Sequence, residues 1–391
     1  MLTLAYLSQG KLFLKSGDDP ARQIESKFGE EARQRAVEVH QRHAWKAQGR
    51  GNQFLTGAML WGANTFDPRR VLIQVPAVTR GAGATELMYV LQTDTFGGLF
   101  TFDWNRDHER RIMHRAELRA RDISRHPTLP LIAYALYGEN GTARIVVAND
   151  EHGDAHEVTE GDSVDEAPSW VPGQGRTLVY QAAGVARNPA GYVVGFGPSG
   201  IYRLNVESGH HETLAEDPRH DLMLPRIDVD GRLWFVRRPY RPPRTMTPLR
   251  LLQDIVLFPF RLARAVFHWL NFISLIYSRK PLTSAGGPKF EDEDVGSMVV
   301  RGRRIDAEKA LRKAAKKEDA PSVVPRNWEL VVRDTDGSEE VVARGVIAYD
   351  LTQDGGVVWT NGTAIFRRGN NEPHQLIERG RLIDGLAVLT A

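Results

Sequence analysis

The sequence predicts an all-β protein, a six-bladed β-propeller closed by strands from its two ends and interrupted by helical insertions. Three observations lead to this fold class. A strand–turn–strand pattern recurs at roughly 40 to 55 residues, which is the period of propeller blades. The two ends of the chain hold incomplete sets of strands that complement each other, and two segments have the composition of helices instead of strands.

Composition limits the classes of function. The 391 residues are 41% hydrophobic, which is sufficient for a substantial core within one domain. Lysine and arginine total 51 and aspartate and glutamate total 49, so the chain has no global positive field to hold nucleic acid. Because the sequence has no cysteine, disulfides, thiolate metal sites and a cysteine nucleophile are excluded.

The clearest repeat unit lies in the middle of the chain, where residues 165–184 and 200–217 read as four short strands separated by turns. The same order of strand, turn and apolar strand recurs at residues 123–150, 224–240 and 346–369. In two of these units the turn contains Asp-Gly, which suits the positive backbone angles of a tight hairpin. Each unit therefore predicts one blade.

The middle unit also resembles a known repeat. It contains Pro-Ser-Trp-x-Pro-Gly-x-Gly-Arg-x-Leu-x-Tyr from Pro168, then Ile-Tyr-Arg-Leu from Ile201 and Gly-x-x-x-x-Leu from Gly209. This pattern resembles the TolB-type repeat, a WD-like repeat of six-bladed propellers. The resemblance covers most of the chain outside residues 27–51 and 241–326, and it implies a propeller that binds proteins.

The sequence departs from the TolB type in one respect. TolB proteins are periplasmic and carry an added N-terminal domain, whereas this sequence shows neither an export signal nor room for that domain. The partners of TolB proteins are therefore not expected here.

The pattern assigns a complete circuit of blades. Blades two to six are predicted at residues 52–114, 119–161, 165–217, 221–344 and 346–379. Blade one combines strands from both ends of the chain, at residues 2–6, 11–14, 22–26 and 382–389. The predicted propeller thus comprises residues 1–26, 52–240 and 327–391. Closure of this kind removes the sheet edges that would otherwise promote aggregation.

The first insertion, residues 27–51, is predicted to be a surface helix. Residues 27–48 are rich in helix formers, and Ala32, Ala36 and Val39 recur amid charged residues. We expect this helix to lie over a rim of the propeller.

The second insertion, residues 241–326, is the principal candidate for partner docking. Thr247 and Pro248 form a good helix start, and residues 248–279 place a narrow polar stripe on an otherwise apolar helix. The predicted docking residues are Phe258, Phe260, Val266, Phe267, Trp269, Leu270, Ile273, Ile276 and Tyr277. Full burial of such side chains contributes roughly 1.5–3 kcal/mol each, so we expect another surface to bury this apolar face.

Three possibilities remain open for what buries the apolar face of this helix. It packs on its own propeller, it docks a protein partner or a second copy of the chain, or it lies in a membrane interface. Basic residues together with Trp269 and Tyr277 favour the membrane interface, and the narrow polar face argues against it. After this helix, residues 281–298 are predicted to be a flexible acidic linker and residues 304–320 a charged, solvated helix.

A glycine-rich string at residues 195–200 matches the dinucleotide-binding pattern G-x-G-x-x-G. That chemistry needs a helix N-terminus after the glycines to hold the pyrophosphate, whereas residues 201–204 read as a strand. We therefore interpret the string as a hairpin turn.

Acidic residues at the starts of two predicted innermost strands define a candidate cation site. Asp165, Glu166 and Asp221 would face the mouth of the propeller channel, and carboxylates surround a divalent ion in propellers of the gluconolactonase type. Acids at strand starts are also ordinary turn residues. No metal and no other cofactor is therefore assigned.

The sequence predicts a non-catalytic propeller that acts as a protein-interaction platform and docks an unidentified partner, or a second copy, through residues 247–280. The alternatives are a metal-dependent, lactonase-like hydrolase that uses the channel and a propeller held at a membrane surface. The N-terminal residues alternate like a strand and lack the features of a signal peptide, so a cytoplasmic location is expected. No nucleic-acid partner is expected.

Overall fold

The computed structural model describes residues 1–47, 72–93, 96–116, 118–151, 154–242, 297–300, 303–306, 320–369 and 372–390. The chain divides into two compact units, one formed by Met1–Tyr240 with Lys309–Ala391 and the other by Arg241–Glu308. The predicted helix at residues 248–279, with all its docking residues from Phe258 to Tyr277, lies outside the described residues.

The described part of the chain contains one helix, α1 (Lys27–Ala47), and is otherwise built from strands. The first eleven strands are β1 (Thr3–Ser8), β2 (Lys11–Ser16), β3 (Arg22–Ile24), β4 (Gln74–Arg80), β5 (Glu86–Gln92), β6 (Phe96–Asp103), β7 (His108–Ala116), β8 (Ala120–Arg125), β9 (Leu131–Tyr137), β10 (Ala143–Asn149) and β11 (Ala155–Glu157). The next nine are β12 (Ser163–Trp170), β13 (Thr177–Arg187), β14 (Val193–Phe196), β15 (Gly200–Asn205), β16 (His211–Ala215), β17 (His220–Ile227), β18 (Leu233–Pro239), β19 (Ser297–Val300) and β20 (Arg303–Asp306). The last seven are β21 (Glu329–Arg333), β22 (Glu339–Arg344), β23 (Ala348–Leu351), β24 (Val357–Thr360), β25 (Ala364–Arg368), β26 (Gln375–Arg379) and β27 (Ile383–Thr390). Among the described residues, no helix has the length and apolar character that crossing a bilayer requires.

Most strands belong to four-stranded antiparallel sheets. These sheets have the strand orders β27-β1-β2-β3, β4-β5-β6-β7, β17-β18-β21-β22 and β23-β24-β25-β26. A nine-stranded sheet contains the predicted third and fourth blades, which are joined by a parallel bridge between Ala143 and Val164. The sheet pairing thus separates four blades and merges two. The count of six blades remains a prediction that depends on dividing the nine-stranded sheet at this bridge.

The innermost strands, β27, β4, β8, β12, β17 and β23, contact one another in turn and are called the inner strands below. β27 contacts β4, β4 contacts β8, β8 contacts β12, β12 contacts β17, and β23 contacts β27. Between β17 and β23, the Tyr349 hydroxyl donates to the Leu224 carbonyl oxygen at 2.6 Å, and Arg226 pairs with Asp350 at 3.1 Å. The predicted β-propeller fold is therefore confirmed.

The predicted closure between the two ends of the chain is present. β27 pairs antiparallel with β1, so that Leu4 lies opposite Val388 and Ala5 lies opposite Ala387. Leu4, Ala5 and Ile383 are fully buried, which places apolar side chains from both ends in the core. The C-terminal strand thus supplies the inner strand of the sheet that β1, β2 and β3 begin.

The helix α1 is anchored to the propeller through its first turn. The Ser26 hydroxyl accepts a hydrogen bond from the Gly29 amide at 3.0 Å, as an N-cap does, and donates to Glu109 at 2.6 Å. Phe28 packs on the core of blades one and two, with its ring centre 5.1 Å from that of Phe100. The start of this helix is therefore part of the packed core.

The interpretation of residues 281–298 as a linker and 304–320 as a helix is contradicted at residues 297–298 and 304–306, where the structure has strands, and most of the remaining residues of both segments lie outside the described ranges. Strands β19 and β20 form an antiparallel hairpin there, with Val300 paired to Arg303. Valine and isoleucine are frequent in residues 297–306, and β-branched residues favour strands over a helix or a flexible linker.

The glycine-rich string at residues 195–200 is not a hairpin turn. β14 ends at Phe196 and β15 begins at Gly200, and both strands pair with β13. The string is therefore an interruption between two consecutive strands. A strand follows the glycines, so the helix N-terminus that dinucleotide binding needs is missing there, as the sequence indicated.

Candidate functional site

A cavity of about 260 Å³ lies where the inner strands end, and it is called the channel cavity below. Every inner strand contributes to its wall, through Thr79, Ser124, Ser169, Arg226, Asp350 and Val388. Each of these residues is near the C-terminal end of its strand, so the same end of every inner strand meets at this place. The turns after β8, β12, β17 and β23 complete the wall. The cavity is therefore the mouth of the propeller channel.

Three ion pairs surround the channel cavity. They are Arg226–Asp350 at 3.1 Å, Arg125–Asp150 at 2.7 Å and Arg232–Asp228 at 2.7 Å. The side chains of Arg125 and Asp150 are only 11% and 6% exposed, so this pair is a fixed part of the wall. In each pair a guanidinium compensates a carboxylate that would be costly to bury alone.

The pair formed by Arg226 and Asp350 links three blades. Asp350 Oδ2 accepts a hydrogen bond from the Val388 amide at 2.8 Å, and the Arg226 guanidinium lies 5.9 Å from the centre of the Tyr349 ring. Burial raises the pKa of the Tyr349 hydroxyl well above its ordinary value. The hydroxyl stays protonated and donates to Leu224, so blades five, six and one are held together at the channel cavity.

Arg80, at the end of β4, adds a further guanidinium to the wall of the channel cavity. Within the described ranges it has no carboxylate within ion-pair distance. Thr79, Ser124 and Ser169 line the same cavity, and their hydroxyls make no side-chain hydrogen bond to another described residue. Arg80 and these hydroxyls can therefore donate hydrogen bonds into the cavity.

The structure does not gather the predicted acids into one site. Asp165 is buried and accepts hydrogen bonds from Thr159 and Ser163, and its burial raises the pKa of the carboxyl. Glu166 instead accepts hydrogen bonds from the Tyr137 hydroxyl and, at 2.9 Å, from Gln181 Nε2.

Asp221 belongs to a third network. Its carboxylate accepts a hydrogen bond from Arg238 Nε at 2.8 Å, and the Arg238 guanidinium lies 4.9 Å from the centre of the Trp328 ring. In the residues that the structure describes, no three histidine, aspartate or glutamate side chains are placed to hold a metal ion together. Each predicted acid thus serves a different hydrogen-bond network.

A two-stranded arm on blade four, residues 184–197, is a candidate surface that the sequence analysis missed. β13 continues for 11 residues to Arg187 and pairs with β14 beyond the blade. The fourth strand of the blade, β16, ends at Ala215 opposite Ile201. In the described sheets β14 therefore pairs with β13 alone, and its outer edge is open.

The arm exposes apolar side chains on a fixed backbone. Tyr192, Val194 and Phe196 are 72%, 54% and 45% exposed. Near the tip of the arm, where β13 ends opposite Val193, Arg187 pairs with Asp162 at 2.6 Å. The sequence signal for this strand was a run of tyrosine and valine between two glycines, a composition that favours strands.

Comparison with known proteins identifies the fold. No protein-family model and no curated protein matches the chain in sequence. The structure of TolB from Acinetobacter baumannii is similar with a TM-score of 0.51 at 10% identity, over 100% of this chain and 67% of TolB. A nidogen/laminin complex is similar with a TM-score of 0.51 at 8% identity, over 100% of this chain and 98% of the matched chain. At such identities the likeness concerns the fold, and the chain has a TolB-like β-propeller fold.

Proposed function

We propose that the chain is a non-catalytic propeller that acts as a protein-interaction platform, and that its arm at residues 184–197 is a docking surface. The observation that carries this proposal is the exposed apolar strand β14, which pairs on one side only among the described strands. The fold is compatible with the role, since one structural neighbour was solved as a nidogen/laminin complex.

An open strand edge with apolar side chains is an unusual surface for a protein to expose. Edge strands are ordinarily protected by charged residues, prolines or covering loops, because their unpaired N–H and C=O groups recruit other strands. β14 consists of Val193, Val194, Gly195 and Phe196, none of which is charged. An extended segment of a partner protein can therefore add to β14 through main-chain hydrogen bonds and bury its own side chains against the arm.

The exposed side chains supply the driving force for this docking. Full burial of a large apolar side chain contributes roughly 1.5–3 kcal/mol, and Tyr192, Val194 and Phe196 still have 72%, 54% and 45% of their surface exposed. The Tyr240 hydroxyl donates to the Phe196 carbonyl oxygen at 2.6 Å, which holds the end of β14 in place and occupies that one group of its outer edge. Because the arm is already ordered, little conformational entropy is lost when a partner binds.

Other parts of the functional proposal have only sequence support. Docking through residues 247–280, and the alternative of a membrane surface, concern residues outside the described part of the chain. A cytoplasmic location is likewise proposed from the sequence. The lactonase-like alternative gains no support from Asp165, Glu166 and Asp221, because these acids serve separate networks.

The proposal is tested by quantitative capture of proteins from cells that express the chain. Immobilised wild type is compared with a variant that combines Val194→Asp and Phe196→Asp, which places two charges on the arm. Leu376→Asp is the matched control, since Leu376 is a 41% exposed residue on the outer strand β26. A deletion of residues 247–280 tests the insertion separately.

We expect wild type and Leu376→Asp to retain the same proteins, and the arm variant to retain them at least tenfold less. If the partner is a second copy of the chain, light scattering will show a dimer that the arm variant loses. The role of the arm would be refuted if the arm variant retained all of these proteins and the chain without residues 247–280 retained none. That result would assign docking to the insertion. Equal retention by every variant would contradict the platform proposal.

A further inference from the structure

We propose that the channel cavity is a binding site for a carboxylate group, held by Arg80 together with the hydroxyls of Ser124 and Ser169. This site lies at the ends of the inner strands and is separate from the arm, so it does not depend on the proposed docking there. The inference depends on three features: the balance of charges around the cavity, the hydrogen-bond donors in its wall, and its size.

Among the described residues that line the channel cavity, one guanidinium has no carboxylate partner. Asp350, Asp150 and Asp228 each have an arginine within 3.1 Å, namely Arg226, Arg125 and Arg232. Asp230 also reaches Arg232, but it is 64% exposed and does not line the cavity. Arg80 lines the cavity and has no carboxylate within ion-pair distance in the described ranges. The wall therefore carries one uncompensated positive charge.

The donors in the wall are of the kinds that bind a carboxylate. A guanidinium presents its N–H groups as a planar fork, which binds the two oxygens of a carboxylate together. Ser124 and Ser169 contribute hydroxyls from the two inner strands that follow β4 around the ring. Each of these hydroxyls can donate one further hydrogen bond to a bound oxygen.

The size and surroundings of the cavity favour a single negative charge. About 260 Å³ accommodates an acid of a few heavy atoms or the end of a peptide. Trp170, Leu351 and Val388 provide apolar walls for the carbon atoms next to the carboxylate. Asp228 and Asp350 also line the cavity, and they repel a doubly charged phosphate more strongly than a carboxylate.

Two sources can supply this chemistry: a small free acid, or the C-terminal carboxylate of a peptide. The test measures the melting temperature of the purified full chain, because a ligand that binds only the native state raises it. The probes are sodium acetate, an N-acetylated tetra-alanine peptide with a free C-terminus, and the same peptide amidated. Sodium chloride at equal ionic strength serves as the reference for each probe.

We expect acetate or the free peptide to raise the melting temperature of wild type, and the amidated peptide to have no effect. A larger effect of the free peptide than of acetate identifies a chain end as the ligand, and the reverse identifies a small acid. Arg80→Gln should weaken binding at least tenfold. Arg106→Gln is the matched control, because Arg106 has an 84% exposed side chain and does not line the cavity.

If Arg80→Gln does not fold, the double variant Ser124→Ala with Ser169→Ala provides the same test, and it should weaken binding at least threefold. The proposal is overturned if neither acetate nor the free peptide stabilises wild type relative to chloride. It is also overturned if the amidated peptide acts as well as the free one, or if the folded cavity variants bind as tightly as wild type.

Discussion

Removal of the C-terminal strand should abolish the fold of the whole propeller. β27 contributes Ile383, Leu386, Val388 and Leu389 to the core, and each is at most 8% exposed. Their burial is worth about 6–12 kcal/mol together, at roughly 1.5–3 kcal/mol per side chain. Since a domain is stable by only about 5–15 kcal/mol, a chain without residues 382–391 has little or no net stability. The deletion also leaves β1 as an open edge.

A point variant makes this prediction quantitative. Ile383 is fully buried, so Ile383→Ala should lower the free energy of unfolding by about 2–5 kcal/mol. Leu376→Ala in β26, the outer strand that precedes β27 in the chain, is the matched control, because Leu376 is 41% exposed and its loss should cost about 1 kcal/mol or less. Urea unfolding monitored by tryptophan fluorescence measures both. Closure by β27 would be refuted if the two variants were equally stable, or if the truncated chain melted cooperatively within about two degrees of wild type.

Two further predictions concern buried polar groups. Asp221→Asn should lower the free energy of unfolding by about 3–5 kcal/mol, because it weakens a buried ion pair in which Asp221 and Arg238 are only 8% and 10% exposed; a loss below about 1 kcal/mol in urea unfolding would show that the pair is not needed. The stabilisation that Tyr6 and Tyr202 contribute should be fully present below pH 10 and should be lost as the pH rises from 10 towards 12. Burial raises the pKa of both tyrosines from 10.0 to about 12, so the unfolded chain loses these protons first. Urea midpoints between pH 8 and 11.5 measure this fall, and native protein in which all tyrosines ionise at pH 10 by absorbance at 295 nm would contradict it.

The blade pattern and the closure could be predicted because they depend on local signals. The N-terminal segment alternates in the sequence, residues 382–389 form one apolar run, and each set of strands lacked a partner within its own segment. Their pairing as β1 and β27 followed from the need to complete a four-stranded blade. The arm could not be predicted in this way, because the length of β13 depends on tertiary contacts such as the pair between Arg187 and Asp162.

The partners of the channel acids could not be predicted from the sequence either. Ala167 and Leu224 have backbone φ angles of +52° and +56°, and each lies in a bulge of an inner strand. A bulge changes the direction of the neighbouring side chains, so simple alternation does not tell which residues face the channel. Residues at the opposite ends of these strands, including Ser169 and Arg226, line the channel cavity, whereas the predicted acids Asp165 and Asp221 are buried in separate networks.

Hydrogen–deuterium exchange of the arm, with and without the captured partner, tests the proposed docking most directly. The open edge of β14 should exchange readily in the free protein, and a strand added along it should protect its amides. We expect exchange at residues 193–196 to slow at least tenfold when the partner is bound, and exchange in the control strand β26 to stay unchanged. Protection confined to other parts of the chain, with residues 193–196 exchanging as in the free protein, would contradict docking at the arm.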